Sequence, residues 1–233
     1  MRQFRAEIAY NRNSTVQSDN IPQYGKVTSW VLFSMVKRRQ IDPSLLVVAC
    51  FSRHAEALDW AQGRLQAAYG TIDRVSPDFS FHHTDYYAAS MGPGLQKRLI
   101  VFEQMRSAET LAGIKNFTIG LEAEAARSGH YSEERPLNLD PGLLQLGKFL
   151  LATTKDQAHR IYLQDGIYAE VTLRFEDKKF ECWPWTYADY REPALREFLN
   201  EAREALFQRV LELRRDVVNK ADSLPSDLRG GRS

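Results

Sequence analysis

One short segment of the sequence concentrates side chains that bind anions. Residues 153–160 supply hydroxyl, ammonium, imidazole and guanidinium groups: Thr153, Thr154, Lys155, His159 and Arg160. A guanidinium binds a phosphate or carboxylate in a fork, an ammonium adds a point charge, and hydroxyls donate hydrogen bonds. The segment therefore predicts an anion site. It equally suits a loop that is held by local hydrogen bonds and an Arg160–Glu170 ion pair, so both interpretations stay open at this point.

Other polar residues can complete such a site if the fold brings them together. We expect the ligand to be held by Thr84, Asn138, Thr154, Lys155, Arg160 and Glu170. If the chain is an enzyme, which the sequence does not decide, Lys155 and Arg160 would neutralise phosphate charge. His159 or Asp85 would then be the acid–base group.

Metal binding and nucleophilic catalysis have weaker signals. The acidic and histidine residues would suffice by number for a divalent ion, but no pair shows a tight ligand spacing such as HxH or HxxxH. The sequence therefore identifies neither a metal nor a cofactor.

Nucleophilic catalysis has little support either. Cys50 lies in an apolar run and Cys182 on a predicted apolar face, so neither is expected to be a reactive thiolate. No GxSxG motif is present.

Aromatic residues near polar strand positions give a different functional hypothesis. The aromatic residues concerned are Tyr86, Tyr87, Tyr162, Tyr168, Trp183, Trp185 and Tyr187. Such rings can stack on nucleic-acid bases, and they can equally cover a half-buried sheet face. The alternative to an anion site is thus a non-catalytic module that binds RNA or a protein through an aromatic sheet face.

Two turns predict a three-stranded antiparallel meander at residues 159–183. We expect a three-residue loop, Gln164-Asp165-Gly166, which pairs Leu163 with Ile167 and sets Arg160 opposite Glu170. A second turn at Asp177-Lys178 pairs Phe175 with Phe180. Strict alternation then predicts one apolar face: Ile161, Leu163, Ile167, Ala169, Val171, Leu173, Phe175, Phe180 and Cys182.

The remaining elements follow from apolar periodicity and from capping residues. The continuous apolar run 45–51 predicts a central strand that is buried on both faces. Asp140-Pro141 predicts a helix start, with Asp at the cap and Pro in the first turn. The other predicted strands are 72–75, 79–87 and 97–103, and the predicted helices are 52–69 (capped by Ser52), 108–127 (capped by Ser107), 141–152 and 193–214.

This pattern predicts an α+β fold. It combines a mixed or antiparallel sheet, a C-terminal three-stranded meander and packing helices. We expect a single domain over residues 44–215, with two intertwined α/β halves as the alternative. Residues 1–43 are predicted to be a disordered or dispensable extension, in which 30–36 could form a short amphipathic helix or an anchor. Residues 216–233 are predicted to be a disordered tail.

Composition narrows the class of protein. The chain has 233 residues, 31 Lys+Arg against 30 Asp+Glu and 43% hydrophobic residues. No apolar run reaches the roughly 18 residues that a membrane span needs. Near-neutral charge argues against a general nucleic-acid coat, and two cysteines cannot form a disulfide scaffold. A soluble cytoplasmic protein is the expectation, and its oligomeric state is not predicted.

Several blocks of the sequence resemble one known family. They are His83-Thr84-Asp85-Tyr86-Tyr87 followed by Met91-Gly92, Asn138-Leu139-Asp140-Pro141-Gly142, the segment 150–175, and Trp185-Thr186-Tyr187-Ala188-Asp189-Tyr190. Together they resemble the bacterial domain-of-unknown-function family 4416 over about residues 44–212. Ala188 departs from the family pattern, where proline is expected. The family has no established activity.

The label "GTP-binding" that some members of this family carry has no support here, because the chain lacks a GxxxxGK[ST] loop. The predicted function rests on the anion-binding side chains of residues 153–160. It is the binding of a small anionic ligand, either a nucleotide or another phosphorylated metabolite.

Overall fold

The structure, a computed structural model, describes residues 43–81 and 88–222. Its described strands are β1 Ser44–Ser52, β2 Ile72–Val75, β3 Phe79–Ser80, β4 Gln96–Arg106, β5 Asn138–Leu144, β6 Lys148–Thr153, β7 Ile161–Gln164, β8 Ile167–Glu176 and β9 Lys179–Cys182. Its described helices are α1 Ala55–Tyr69, α2 Ala88–Met91, α3 Leu111–Arg127 and α4 Pro193–Asp222. Short 3₁₀ turns precede α3 (Ala108–Thr110) and α4 (Ala188–Arg191).

These nine strands form one antiparallel sheet. The order is β2-β4-β1-β5-β6-β8-β7, with β3 beside β4 and β9 beside β8. The α+β fold and the C-terminal meander that the sequence predicted are confirmed. No helix in the described part of the chain is long and apolar enough to cross a membrane.

Strand β1 is an interior strand of the sheet, between β4 and β5, and all nine of its residues are buried, as its apolar run predicted. Odd-numbered residues such as Val47 and Phe51 join a core with α4, whereas Leu46, Val48 and Cys50 join a core with α1 and α3. Because neighbouring side chains of a strand point to opposite faces, one apolar run supports helices on both sides of the sheet. The result is a three-layer arrangement.

The predicted caps of α1 and α3 are wrong. Ser52 ends β1, and its hydroxyl donates a hydrogen bond to the carbonyl of Pro136 at 2.7 Å. Helix α1 begins at Ala55, after His54. Ser107 precedes the 3₁₀ turn and its side chain makes no capping bond. The hydroxyl of Ser52 thus bonds to a distant carbonyl and does not cap the helix that follows.

The helix predicted over residues 141–152 is wrong, because this segment forms the β5–β6 hairpin. Strand β5 pairs with β1 along its whole length, and this tertiary pairing overrides the local Asp-Pro signal. Pro141 is tolerated because β6 joins β5 only from Gly142 onwards, so the strand has one unpaired edge before that point. Asp140 is therefore not a helix cap.

The meander register is confirmed over most of its length. Ile161 pairs with Ala169, Tyr162 with Tyr168, and Phe175 with Phe180. The predicted three-residue loop is wrong. Asp165 (φ 52°) and Gly166 (φ 74°) form a two-residue turn with both φ values positive, and Gln164 pairs with Ile167. The irregularity at Leu163 absorbs the extra residue, which is why the register beyond it is unchanged.

The single apolar face predicted for the meander is also wrong. Phe149 pairs with Leu173 but Leu150 pairs with Val171, so Thr172 is an extra residue in β8. This bulge reverses the alternation. Residues before it, Ile167 and Ala169, pack with the start of α3, whereas Leu173 and those after it pack against α4. At the edge of the sheet, Ile161 is 71% exposed.

Other boundaries differ more modestly. Helix α4 continues to Asp222, beyond the expected end at residue 214. Strand β3 covers only two residues of the predicted strand 79–87, and residues 82–87 lie outside the described part. Residues 1–42 of the extension predicted over 1–43, and residues 223–233 of the predicted tail, also lie outside it. The predicted domain limits remain predictions.

Gly142 offers a direct test of the β5–β6 pairing. A Cβ atom at this position would lie 2.3 Å from the carbonyl oxygen of Leu150 and 2.8 Å from the ring of Phe149. We expect Gly142→Ala to lower the free energy of unfolding by about 1–3 kcal/mol, because backbone and a buried ring must move. Chemical denaturation followed by circular dichroism measures this change.

The matched control is Gly120→Ala, an exposed glycine of α3 whose added Cβ would meet nothing within 4 Å. Here alanine should stabilise the protein by about 0.5–1 kcal/mol, since it favours the helix. Equal effects of the two substitutions would contradict the close approach of β5 and β6.

Candidate functional site

A cavity lies where β5 and β6 separate. The two strands pair only between Gly142–Leu144 and Phe149–Leu151. Beyond these pairs their ends diverge, and residues of both line a cavity of about 570 Å³. Side chains reach it from α3 on one side and from residues 187–190 on the other. This volume is typical of a small-molecule site.

A buried lysine from α3 holds two carboxylates in the cavity wall. The Nζ atom of Lys115 lies 2.7 Å from the carbonyl of Leu139, 3.0 Å from Asp140 Oδ1 and 3.8 Å from Glu122 Oε1. Burial raises the pKa of Glu122 despite this neighbouring charge. Burial opposes ionisation of Asp140 too, but the charge and hydrogen bond of Lys115 outweigh it and lower the pKa of that carboxyl.

Asn138 extends this network towards the rim. Its amide nitrogen donates a hydrogen bond to Asp140 Oδ2 at 2.8 Å, and its amide oxygen accepts one from Arg135. Arg135, Asn138 and Asp140 all line the cavity. The network therefore presents an arginine, an amide and a carboxylate in sequence along one wall.

Arg160 lies behind the opposite wall and fixes it in place. Its guanidinium donates to Glu170 Oε2 at 2.8 Å, to the carbonyl of Lys155 at 2.9 Å and to the hydroxyl of Tyr187 at 2.6 Å. The predicted ion pair of Arg160 with Glu170 is present, and both side chains are at most 2% exposed. One buried group thus connects three segments of the wall.

Glu170 is further held by its neighbours. The hydroxyl of Thr172 donates to Oε1 at 3.2 Å, and His159 Nε2 lies 3.3 Å from Oε2. Burial and the adjacent Glu170 charge raise the pKa of Tyr187 to about 12. The phenol of Tyr187 therefore stays protonated over the physiological range.

A second buried lysine supports the end of the cavity near Tyr190. Lys97 forms an ion pair with Asp189, and its ammonium lies 3.5 Å from the ring centroid of Tyr190 and 4.8 Å from that of Phe51. Burial lowers the pKa of Lys97, whereas Asp189 opposes that shift. Such cation–π contacts stabilise a charge that has lost its water.

The structure brings together about half of the predicted site. Asn138, Thr154, Lys155 and Glu170 line the cavity. Arg160 contacts the wall from behind, and the ring of His159 stacks on Trp185 beside Glu170. Thr84 and Asp85 lie outside the described residues. Their predicted roles, and the acid–base role of His159, remain predictions.

Sequence reasoning missed several charged or polar residues that line the cavity: Lys115, Glu122, Arg135, Asp189 and Tyr190. It also missed Lys97, the buried partner of Asp189. The best available signal was Lys97, a cation two residues before the apolar run 99–102 within β4. Lys115 is a charged residue next to Ile114 in α3, and apolar periodicity does not count a charged residue as part of the buried face. Asp140 was interpreted as a cap.

Two aromatic residues of the alternative hypothesis, Trp183 and Trp185, form a column with Arg174 and His159. Trp183 and Trp185 stack with a 6° interplanar angle, Arg174 lies 4.6 Å from the ring centroid of Trp183, and His159 stacks on Trp185. Trp185 also donates a hydrogen bond to the carbonyl of Val171. Both indoles thus already have stacking partners within the chain, which weakens the argument for stacking on RNA bases.

Within residues 43–81 and 88–222, no group of three or more His, Cys, Asp and Glu residues is placed to hold a metal ion. Cys50 is buried in the core, and burial raises the pKa of its thiol.

The comparisons with known proteins agree with the resemblance seen in the sequence. A family model described as a domain of unknown function, DUF4416, matches residues 42–206, which is more than two thirds of the chain. No curated protein matches the sequence.

The Arg160–Glu170 pair gives a test of the cavity wall. Arg160→Ala leaves the buried Glu170 carboxylate without its main partner, so we expect the free energy of unfolding to fall by about 3 kcal/mol or more. Arg160→Ala/Glu170→Gln should recover part of this loss, because the amide removes the uncompensated charge. Urea denaturation of the three proteins measures both effects.

Lys179→Ala is the control, because Lys179 forms an exposed ion pair with Glu181 at 2.9 Å. Exposed pairs contribute at most about 1 kcal/mol. If Arg160→Ala lowers the free energy of unfolding no more than Lys179→Ala does, the burial of the Arg160–Glu170 pair is contradicted.

Proposed function

We propose that this chain, which belongs to the DUF4416 family, binds a small anionic ligand in the cavity between β5 and β6. The observation that carries the proposal is the convergence of buried charged groups on one cavity. Lys115 with Asp140, Arg160 with Glu170, and Lys97 with Asp189 come from separate parts of the chain.

Such convergence is difficult to explain by stability alone. Well-packed apolar residues stabilise a fold as well as buried ion pairs do, or better. Cavities that are mere packing defects are lined by apolar groups. Charged groups with shifted pKa values are instead concentrated at functional sites. Glu122 and Asp140, which have opposite pKa shifts in one cavity wall, fit that pattern.

The anionic part of the ligand is assigned to the rim at the end of β6. Thr153, Thr154 and Lys155 line the cavity there, and the backbone amide of Lys155 is oriented by the hydroxyl of Thr153 at 3.2 Å. An ammonium and hydroxyl groups match a phosphate or carboxylate. Apolar groups of Phe51, Phe81 and Leu151 line other parts of the cavity.

This arrangement favours a phosphorylated metabolite or nucleotide that has an uncharged portion as well as its anionic group. The mixed lining, a few polar groups among apolar ones, is typical of small-molecule sites. The proposal does not assign a reaction. A cytoplasmic location and a bacterial source stay predictions from the sequence.

Ligand-induced stabilisation tests the proposal. The melting temperature of the full chain is measured with inorganic phosphate, AMP and ribose 5-phosphate. At 100 times its dissociation constant, a ligand stabilises the folded state by about 2.7 kcal/mol, so a bound probe is readily detected. We expect at least one probe to raise the melting temperature, and Lys155→Ala to abolish that increase.

Lys148→Ala is the matched control, because Lys148 is an exposed lysine at the opposite end of the same strand. It should respond to the probes as the unmodified protein does. The proposal is contradicted if none of the three probes raises the melting temperature. It is also contradicted if Lys155→Ala and Lys148→Ala reduce the ligand-induced increase equally.

A further inference from the structure

Strand β7 forms an edge of the sheet. Within residues 43–81 and 88–222 it pairs with β8 alone, and all four of its residues are exposed. The backbone N–H and C=O groups on its outer side therefore meet no other strand of the described sheet. Such an edge is a template to which a further strand can be added by main-chain hydrogen bonds.

The side chains of β7 are large and apolar, and none of them is charged. Ile161 is 71% exposed, Tyr162 57% and Leu163 39%. Ile161 pairs with Ala169 and Tyr162 pairs with Tyr168, so these two side chains lie on opposite faces of the sheet. The irregularity at Leu163 affects only the end of the strand next to the turn. A strand added to this edge would therefore meet apolar groups on both faces.

The other edge strands of the described sheet are protected against such pairing. Strand β2 contains Asp73 and Arg74, which form an ion pair, and β9 contains Lys179 and Glu181, which form another. Strand β3 has only two residues. Charged side chains and short length are means by which proteins keep an edge from pairing. Strand β7 is as long as β2 and β9 and carries no charge.

A second copy of β7 matches this edge. The added strand must supply apolar side chains on both faces, and β7 itself does so through Ile161 and Tyr162. Antiparallel pairing of a strand with its own copy requires only a two-fold axis, the commonest symmetry of protein oligomers. With the axis at Tyr162, the two Tyr162 rings become cross-strand neighbours, and aromatic pairs of this kind stabilise antiparallel strands.

We propose that β7 is the interface of a homodimer, in which two copies of the chain pair antiparallel through residues 161–164 and join their sheets. Stable complexes bury about 1,200–2,000 Å² of surface, and four residues from each copy bury less than this. The dimer is therefore weak and depends on protein concentration. It does not require a ligand in the cavity, so it stands apart from the proposed function.

Sedimentation velocity of the full chain tests the proposal. Between about 1 µM and 1 mM, the range of weak association, we expect the weight-average mass to rise from the 26.8 kDa of one chain towards twice that value. Ile161→Lys should keep the mass at that of one chain throughout, because a charge on each strand opposes pairing. Tyr162→Lys, on the other face of the edge, is a second variant with the same expected loss.

Val75→Lys is the matched control, because Val75 is an exposed apolar residue of the edge strand β2. This variant should associate as the unmodified protein does. Ile161 is largely exposed, so lysine at that position should leave the melting temperature close to that of the unmodified protein. Thermal unfolding of all three variants verifies that a lost dimer is not a lost fold.

Hydrogen–deuterium exchange shows whether the contact is made by backbone pairing. The amides of residues 161–164 should exchange several-fold more slowly at the highest protein concentration than at the lowest. Ile161→Lys should remove this difference, because its strands stay unpaired.

Three outcomes would overturn the proposal. The first is the mass of a single chain at every concentration, which would leave β7 open to an extended peptide of another protein. The second is a dimer that persists in both Ile161→Lys and Tyr162→Lys. The third is a dimer that forms without slower exchange at residues 161–164, since the contact would then lie elsewhere.

Discussion

Pairing between β5 and β6 stops at Gly142, and the arrangement of the site depends on this separation. On one side of that point the strands approach so closely that Gly142 has no room for a side chain. On the other side they diverge, while β5 keeps its pairing with β1 and β6 keeps its pairing with β8. The sheet therefore stays continuous and still contains an opening. Side chains of α3 on one face and residues 187–190 beyond the other meet in that opening.

Charged groups around this opening are held by bonds that cross between elements. Arg160 joins β8, the loop after β6 and Tyr187, and Lys115 joins α3 to β5. The bulge at Thr172 contributes as well, because it places Glu170 on the cavity side while the following residues pack against α4. Bulges commonly re-aim side chains next to functional sites. The same bonds that hold the segments of each wall together also orient the polar groups that line the cavity.

The sequence was informative wherever a local pattern and the tertiary environment agreed. The buried run of β1, the register of Ile161 with Ala169 and the Arg160–Glu170 pair could all be predicted. The β5–β6 hairpin could not, because the helix-start signal of Asp140-Pro141 is local and the pairing with β1 that overrides it is not. A bulge cannot be read from alternation either, so the meander was assigned one apolar face when it has two. The missed site residues come mainly from α3 on one side of the opening and from residues 187–190 on the other, a convergence that no spacing in the sequence reveals.

The central claim is that the opening between β5 and β6 is a ligand site. Amide chemical shifts of the isotopically labelled full chain, followed during titration with AMP, test this claim most directly. The account predicts that the largest shift changes lie in Asn138, Asp140 and residues 152–155 and 187–190, which line the cavity. Changes centred instead on the column of Arg174, Trp183 and Trp185, or no saturable change at all, would contradict it.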